Sequence, residues 1–97
     1  KLQGFDDRYW IWFEEVDLCQ RVKRLGFDVV YFPASQIVHH GNSSFSQVYS
    51  VHKHRWFMQS LRRYTKTYWS PARANALVPF MVVSFLLTFV QTLFKPR

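Results

Sequence analysis

Phe13-Glu14-Glu15-Val16-Asp17-Leu18-Cys19-Gln20-Arg21 places three carboxylates at the head of a segment whose tail, Arg21, Lys23 and Arg24, is basic and whose end is marked by Gly26. Acids in the first turn, cations in the last and a glycine stop complement a helix dipole, which predicts a helix over Glu14 to Leu25. Val16, Cys19 and Val22, with Leu18 and Leu25 alongside, are expected to form its buried stripe. Beyond Gly26, Asp28-Val29-Val30-Tyr31-Phe32 is a β-branched and aromatic run closed by Pro33, which reads as a short strand. Helix, tight turn and strand make an αβ unit, so the expected fold class is α/β.

Working outward, Tyr9-Trp10-Ile11-Trp12-Phe13 is expected to pack beneath the acids, with Trp10 or Trp12 as the alternative wall of a binding site. Ala34 to Ser46 reads as a loop carrying Val38-His39-His40-Gly41, and loops of this kind hold function more often than the elements they join. Gln47 to Tyr68 reads as a long basic helix, with Phe57, Leu61, Tyr64 and Tyr68 at helical spacing and Lys53, Arg62, Arg63 and Lys66 on other faces; Ser70-Pro71 breaks it. Ala74 to Phe94 holds no charged residue, and 21 residues of helix reach roughly 31 Å, about the thickness of a bilayer's hydrocarbon core. Ser84, Thr88, Gln91 and Thr92 share one face of that helix, so spanning a bilayer, lying in its interface and packing on protein all remain open.

Ninety-seven residues allow one small domain with a marginal core. The chain begins at Lys1 rather than a methionine, and we expect a piece of something longer. An aromatic content of 20 % and a hydrophobic content of 48 % exclude a disordered chain. The single Cys19 excludes an internal disulfide, makes a reducing compartment the default and reads as a buried helix residue rather than a nucleophile. All six acids fall in the first 28 residues, whereas everything from Val29 onward carries eight cations and no acid. That basic half suits an anionic membrane surface; nucleic acid is set aside for want of any recognition motif. If the last helix spans, the cations before it keep the acids on the cytoplasmic face.

The acids and histidines suggest one chemistry. A carboxylate at a helix start can take the proton of an attacking hydroxyl, and an imidazole on a nearby loop can ligate a divalent metal that neutralises a departing anion. Two plainer readings stand beside it: acids that only favour the helix start, and an adjacent histidine pair that ligates nothing. His52 and His54, two apart, are expected on the helix surface or among lipid headgroups.

Gly4-Phe5-Asp6, Phe13 to Arg21, Gly26-Phe27, Pro33 and Val38-His39-His40-Gly41 resemble, in order and spacing, the second half of the catalytic domain of inverting family 2 glycosyltransferases of the rhamnosyl- and galactofuranosyltransferase type. The resemblance covers Gly4 to about Gly41 and extends only loosely into the basic helix. It implies the C-terminal portion of a GT-A, Rossmann-like α/β domain over residues 1–46, followed by a basic amphipathic helix over 47–70 and a hydrophobic, membrane-associated helix over 71–97. It further implies Glu15 as catalytic base, where the family commonly has Asp. Glu14 joins the acid pair, and Asp17 is an orienting or structural acid. His39, or His40 in its place, would be a ligand to Mn²⁺ or Mg²⁺ in the full-length enzyme. The implied partners are a nucleotide-sugar donor and a glycan or lipid-linked acceptor of cell-surface polysaccharide synthesis, with rhamnose a family-level expectation. The nucleotide-binding half and its Asp-x-Asp motif have no counterpart here, so the 97 residues alone are expected to be inactive. The alternative is a small membrane-anchored interaction module without catalysis.

Overall fold

The structure, a computed structural model, describes residues 2–38 and 50–94. It contains four helices: α1 (Glu14–Arg24), α2 (Ser50–Tyr68), α3 (Pro71–Ala76) and α4 (Val78–Leu93). No strand occurs among the described residues, which overturns the α/β, Rossmann-like expectation. Asp28 to Phe32 runs as irregular backbone, with Val30 77 % and Tyr31 87 % exposed. The physical reason is that a strand is a paired object: side-chain preference favours an extended chain, but only a ladder partner satisfies its N–H and C=O groups, and no described segment supplies one.

Helix α1 ends by a mechanism its sequence announces. Gly26 adopts φ +83°, its N–H donates to the Lys23 carbonyl at 3.0 Å, and Phe27 N–H reaches back to the Val22 carbonyl at 3.3 Å. These are the two bonds of a Schellman stop, built on the left-handed backbone that glycine adopts without steric cost. The start of α1 is less ordinary. Trp12 and Phe13 take φ of 60° and 70°, and Phe13 offers no side-chain cap to the helix. Two consecutive left-handed aromatics are uncommon, and such strain persists only where surrounding contacts hold it.

Those contacts come from α2. Phe13 packs on Phe57 at 5.5 Å and on Tyr64 at 5.4 Å between ring centroids, Trp12 meets Phe57 edge-on at 5.9 Å, and Tyr64 continues to Tyr68 at 4.9 Å. Ser60, buried on α2, donates to the Ile11 carbonyl at 2.7 Å and ties the strained loop down. The apolar core of the described residues is thin, Tyr9, Tyr64 and Ala74, with Thr65, Ser60 and Asp17 buried beside it. The stripe expected on α1 is not what it buries: Val16 and Leu25 are exposed, and Asp17 is the buried residue of that helix.

Pro71 opens α3 after Ser70, whose hydroxyl accepts from Arg73 N–H, and the chain then reverses so that α4 lies antiparallel to α2. Arg62 fastens the reversal, donating to the Ala74 carbonyl at 2.6 Å and to Asn75 Oδ1 at 2.8 Å. Farther along, His54 meets the Ser84 hydroxyl at 3.3 Å and packs beside Phe85. His54 is therefore an interhelical residue, while His52 stays exposed. Pro71–Leu93 is long and apolar enough to cross a membrane, with a mean hydropathy of 2.0.

Candidate functional site

The three acids of α1 sit in three different environments. Asp17 is 3 % exposed and held from two sides: Arg21, one turn along, donates Nε–H to Oδ2 at 2.8 Å, and the Tyr68 hydroxyl donates to Oδ1 at 2.5 Å. The same Arg21 uses Nη2 to grip the Gly4 carbonyl at 2.7 Å, and Arg24 covers the Tyr68 ring at 4.6 Å. Asp17 thereby joins α1, the Gly4 loop and the end of α2. Burial, reinforced by the hydrogen bond to Asp17 and its charge, pushes the Tyr68 phenol up to about 12. The phenol is thus a fixed proton donor to Asp17 across the physiological range.

Glu15 contrasts with this. It is exposed at the first turn of α1 and makes no ion pair or hydrogen bond among the described residues. Glu14 lies between the two cases: half-buried, with its Oε2 shielded from solvent and lacking a hydrogen-bond partner. A buried acceptor without a donor costs about 1–3 kcal/mol, so packing gains nothing from that oxygen. Nearby, Asp6 is clamped by Arg8 through Nε at 2.9 Å and Nη2 at 2.6 Å, and this hydrogen-bonded guanidinium holds its carboxyl down at about 2. Tyr9 is buried beneath the loop with its hydroxyl unpartnered; burial and the neighbouring charge of Asp17 raise its pKa.

His39 and His40 lie outside the described residues. Among the described residues, no three His, Cys, Asp or Glu side chains converge to hold a metal, so the acids of α1 do not by themselves fit one. Cys19 is a half-buried free thiol. A groove of about 950 Å³ runs between α2 and α4 and is lined by none of the acids. The acids and this groove are separate features, and of the three acids of α1 only Glu15 stands open to solvent.

Sequence reasoning missed Tyr68 and Arg21 as parts of the site. Arg21 had a signal, its spacing of four from Asp17, which brings the two onto one helical face. Tyr68 had none, standing 51 residues away from its partner.

No family model matches the chain, and no solved structure does. Parts of it are similar to sugar-transferring enzymes. The N-acetylglucosaminyl-diphospho-decaprenol L-rhamnosyltransferase of two Mycobacterium tuberculosis strains is 43 % identical over 37 residues, 38 % of this chain and 12 % of that protein. Rhamnosyltransferase WbbL of Escherichia coli K12 is 35 % identical over 68 residues, 66 % of this chain and 24 % of that protein. The chain thus spans between an eighth and a quarter of the length of these curated relatives, and its sequence is glycosyltransferase-related.

Proposed function

We propose that this chain carries the proton-accepting, acceptor-side residues of an inverting family 2 glycosyltransferase. In the reaction, an acceptor hydroxyl attacks the anomeric carbon of a nucleotide sugar, Glu15 takes the hydroxyl proton, and the bond from sugar to nucleoside diphosphate breaks. The observation that carries this reading is the division among the acids. Asp17 is consumed by Arg21 and Tyr68, whereas Glu15, on the same helix, is solvent-facing and unengaged. Glu14, with its orphan oxygen, flanks the base as an acceptor for a substrate hydroxyl. Asp17 is a positioning residue that fixes the pitch of α1.

The names of the relatives favour L-rhamnose as the transferred sugar and a lipid-linked sugar diphosphate, as in N-acetylglucosaminyl-diphospho-decaprenol, as the acceptor. A divalent cation, Mn²⁺ or Mg²⁺, belongs to the same proposal, with His39, or His40 in its place, as its imidazole ligand in the full-length enzyme; it would neutralise the departing diphosphate. The enzyme would work at the cytoplasmic face of the cell membrane in cell-surface polysaccharide synthesis. The apolar Pro71–Leu93 and the cations of α2 support membrane attachment.

The test is Glu15→Gln in the enzyme that contains this chain. Turnover should be lost while nucleotide-sugar binding persists, and retained turnover would remove Glu15 from the role. The 97 residues alone, given nucleotide sugars and acceptor, should show no turnover. The rival reading, a membrane-anchored interaction module without catalysis, draws on the exposed apolar face of α4 and would leave Glu15→Gln without effect on any transfer reaction.

A further inference from the structure

Helix α4 leaves most of its apolar surface uncovered, with Met81 and Phe85 half-buried against α2. Ser84 contacts His54 of α2, Thr88 and Thr92 are half-buried with their hydroxyls bonded back to the carbonyls of Ser84 and Thr88, and Gln91 of the same polar face is exposed. Phe80, Val83, Leu87, Val90 and Phe94, which share one helical face, point outward with exposures of 72, 55, 59, 47 and 80 %. A helix of a water-soluble domain does the reverse. The outward face suits an apolar medium.

Its neighbour decides how it meets that medium. The groove between the helices has Arg55, Arg63 and Lys66 on one wall and Val78, Val82 and Leu86 on the other. Among the described residues, no carboxylate forms an ion pair with those three cations, although Arg63 lies over the Tyr9 ring at 5.9 Å and its charge acts on Asp6. Because α2 runs antiparallel beside α4, a bilayer-spanning α4 would carry Arg55 and Arg63 into the hydrocarbon, at a cost of roughly a hundredfold in partitioning for each charge. Lying flat, the same hairpin sets its apolar face at the acyl boundary and its cations at the level of lipid phosphates.

We propose that the α2–α4 hairpin lies in the plane of one leaflet and that its groove seats the phosphate headgroups of anionic phospholipids between Arg55, Arg63 and Lys66 and the apolar wall of α4. The inference rests on the membrane attachment proposed above, and not on the sugar chemistry.

Two measurements on the 97-residue chain test it. The first is partitioning into vesicles of phosphatidylcholine alone or with 30 mol% phosphatidylglycerol (about a third anionic, as in a polybasic-binding assay) at low salt. The anionic vesicles should bind more tightly, and the triple change Arg55→Gln, Arg63→Gln, Lys66→Gln should weaken that binding roughly 100-fold, at about fivefold per cation. Unchanged helix content by circular dichroism keeps the comparison fair, and Leu87→Asp should weaken binding to both kinds of vesicle. The second is the depth of a fluorophore placed, in a Cys19→Ser background, at Phe80→Cys, Leu87→Cys or Phe94→Cys, read by quenchers at different levels of the lipid. The three depths should agree. A Leu87 probe about 10 Å deeper than its neighbours, the rise of seven helical residues, means a spanning helix and overturns the in-plane placement alone. An unaffected triple variant overturns the headgroup site, and failure to bind any vesicle overturns the membrane attachment together with this inference.

Discussion

The carboxylates of α1 differ in what they are free to do. Asp17 is engaged by Arg21 and Tyr68, so removing either donor leaves one oxygen of a buried carboxylate without its partner. Tyr68→Phe should lower stability by about 1.5–3 kcal/mol in chemical denaturation, the range for hydrogen bonds to charged groups. The pH dependence has a defined sign. The folded-state pKa of Tyr68 is raised to about 12, so the protonated phenol stabilises the fold fully below pH 10 and that contribution is lost as pH rises through 12. Tyr68→Phe should flatten the stability profile over that window; an unchanged alkaline slope would mean the phenol is not held this way. Glu15→Gln, at an exposed position, should change stability by no more than about 0.5 kcal/mol. The one-turn spacing of Asp17 and Arg21 is visible in the sequence, although the pairing itself was not read from it. The distinction between a locked Asp17 and an open Glu15 is not legible there, because it depends on Tyr68, and hydroxyl-to-carboxylate pairing across 51 residues leaves no local trace.

At the scale of elements, the helices were readable and the strand was not, for one reason. Glu14 to Arg24 writes its own ends, acids first, cations last, then Gly26, and every one of these cues acts within a turn of the chain. Asp28 to Phe32 has β-type side chains, but its ladder partner would have to come from elsewhere, and no described segment pairs with it. The expected stripe of α1 failed similarly: the face a helix buries is set by what packs on it, here Tyr68 and the Gly4 loop reaching Asp17 through Arg21. Two element-scale changes follow. Gly26→Ala should cost about 1–2 kcal/mol, since φ +83° is strained for any residue with a Cβ even though open space surrounds that position. Ser60→Ala should cost about 1–3 kcal/mol by leaving the Ile11 carbonyl without its donor, and should loosen the Trp12-Phe13 turn against Phe57, visible as faster amide exchange at the start of α1. Equal protection in the variant would mean that the aromatic contacts alone hold the turn.

For the molecule as a whole, a small buried core joins the Tyr9 to Phe13 loop and α1 to α2, while α4 leaves most of its apolar surface uncovered. The uncharged run from Ala74 to Phe94 was plain in the sequence, as was its polar stripe at Ser84, Thr88 and Thr92. That Ser84 of this stripe would meet His54 of α2 was not, because it follows from the chain reversal that Arg62 fastens at Ala74 and Asn75. One polypeptide thus presents an acidic helix start and a separate basic and apolar face. The most direct test is a paired comparison, Glu15→Gln against Asp17→Asn, in the glycosyltransferase proposed to contain this chain, with turnover and thermal midpoint measured on both. Loss of a general base should lower kcat by about 10²–10⁴ in Glu15→Gln at an unchanged midpoint, whereas Asp17→Asn should lower the midpoint first. Full turnover in Glu15→Gln, or a loss confined to Asp17→Asn, would contradict the assignment of proton transfer to Glu15.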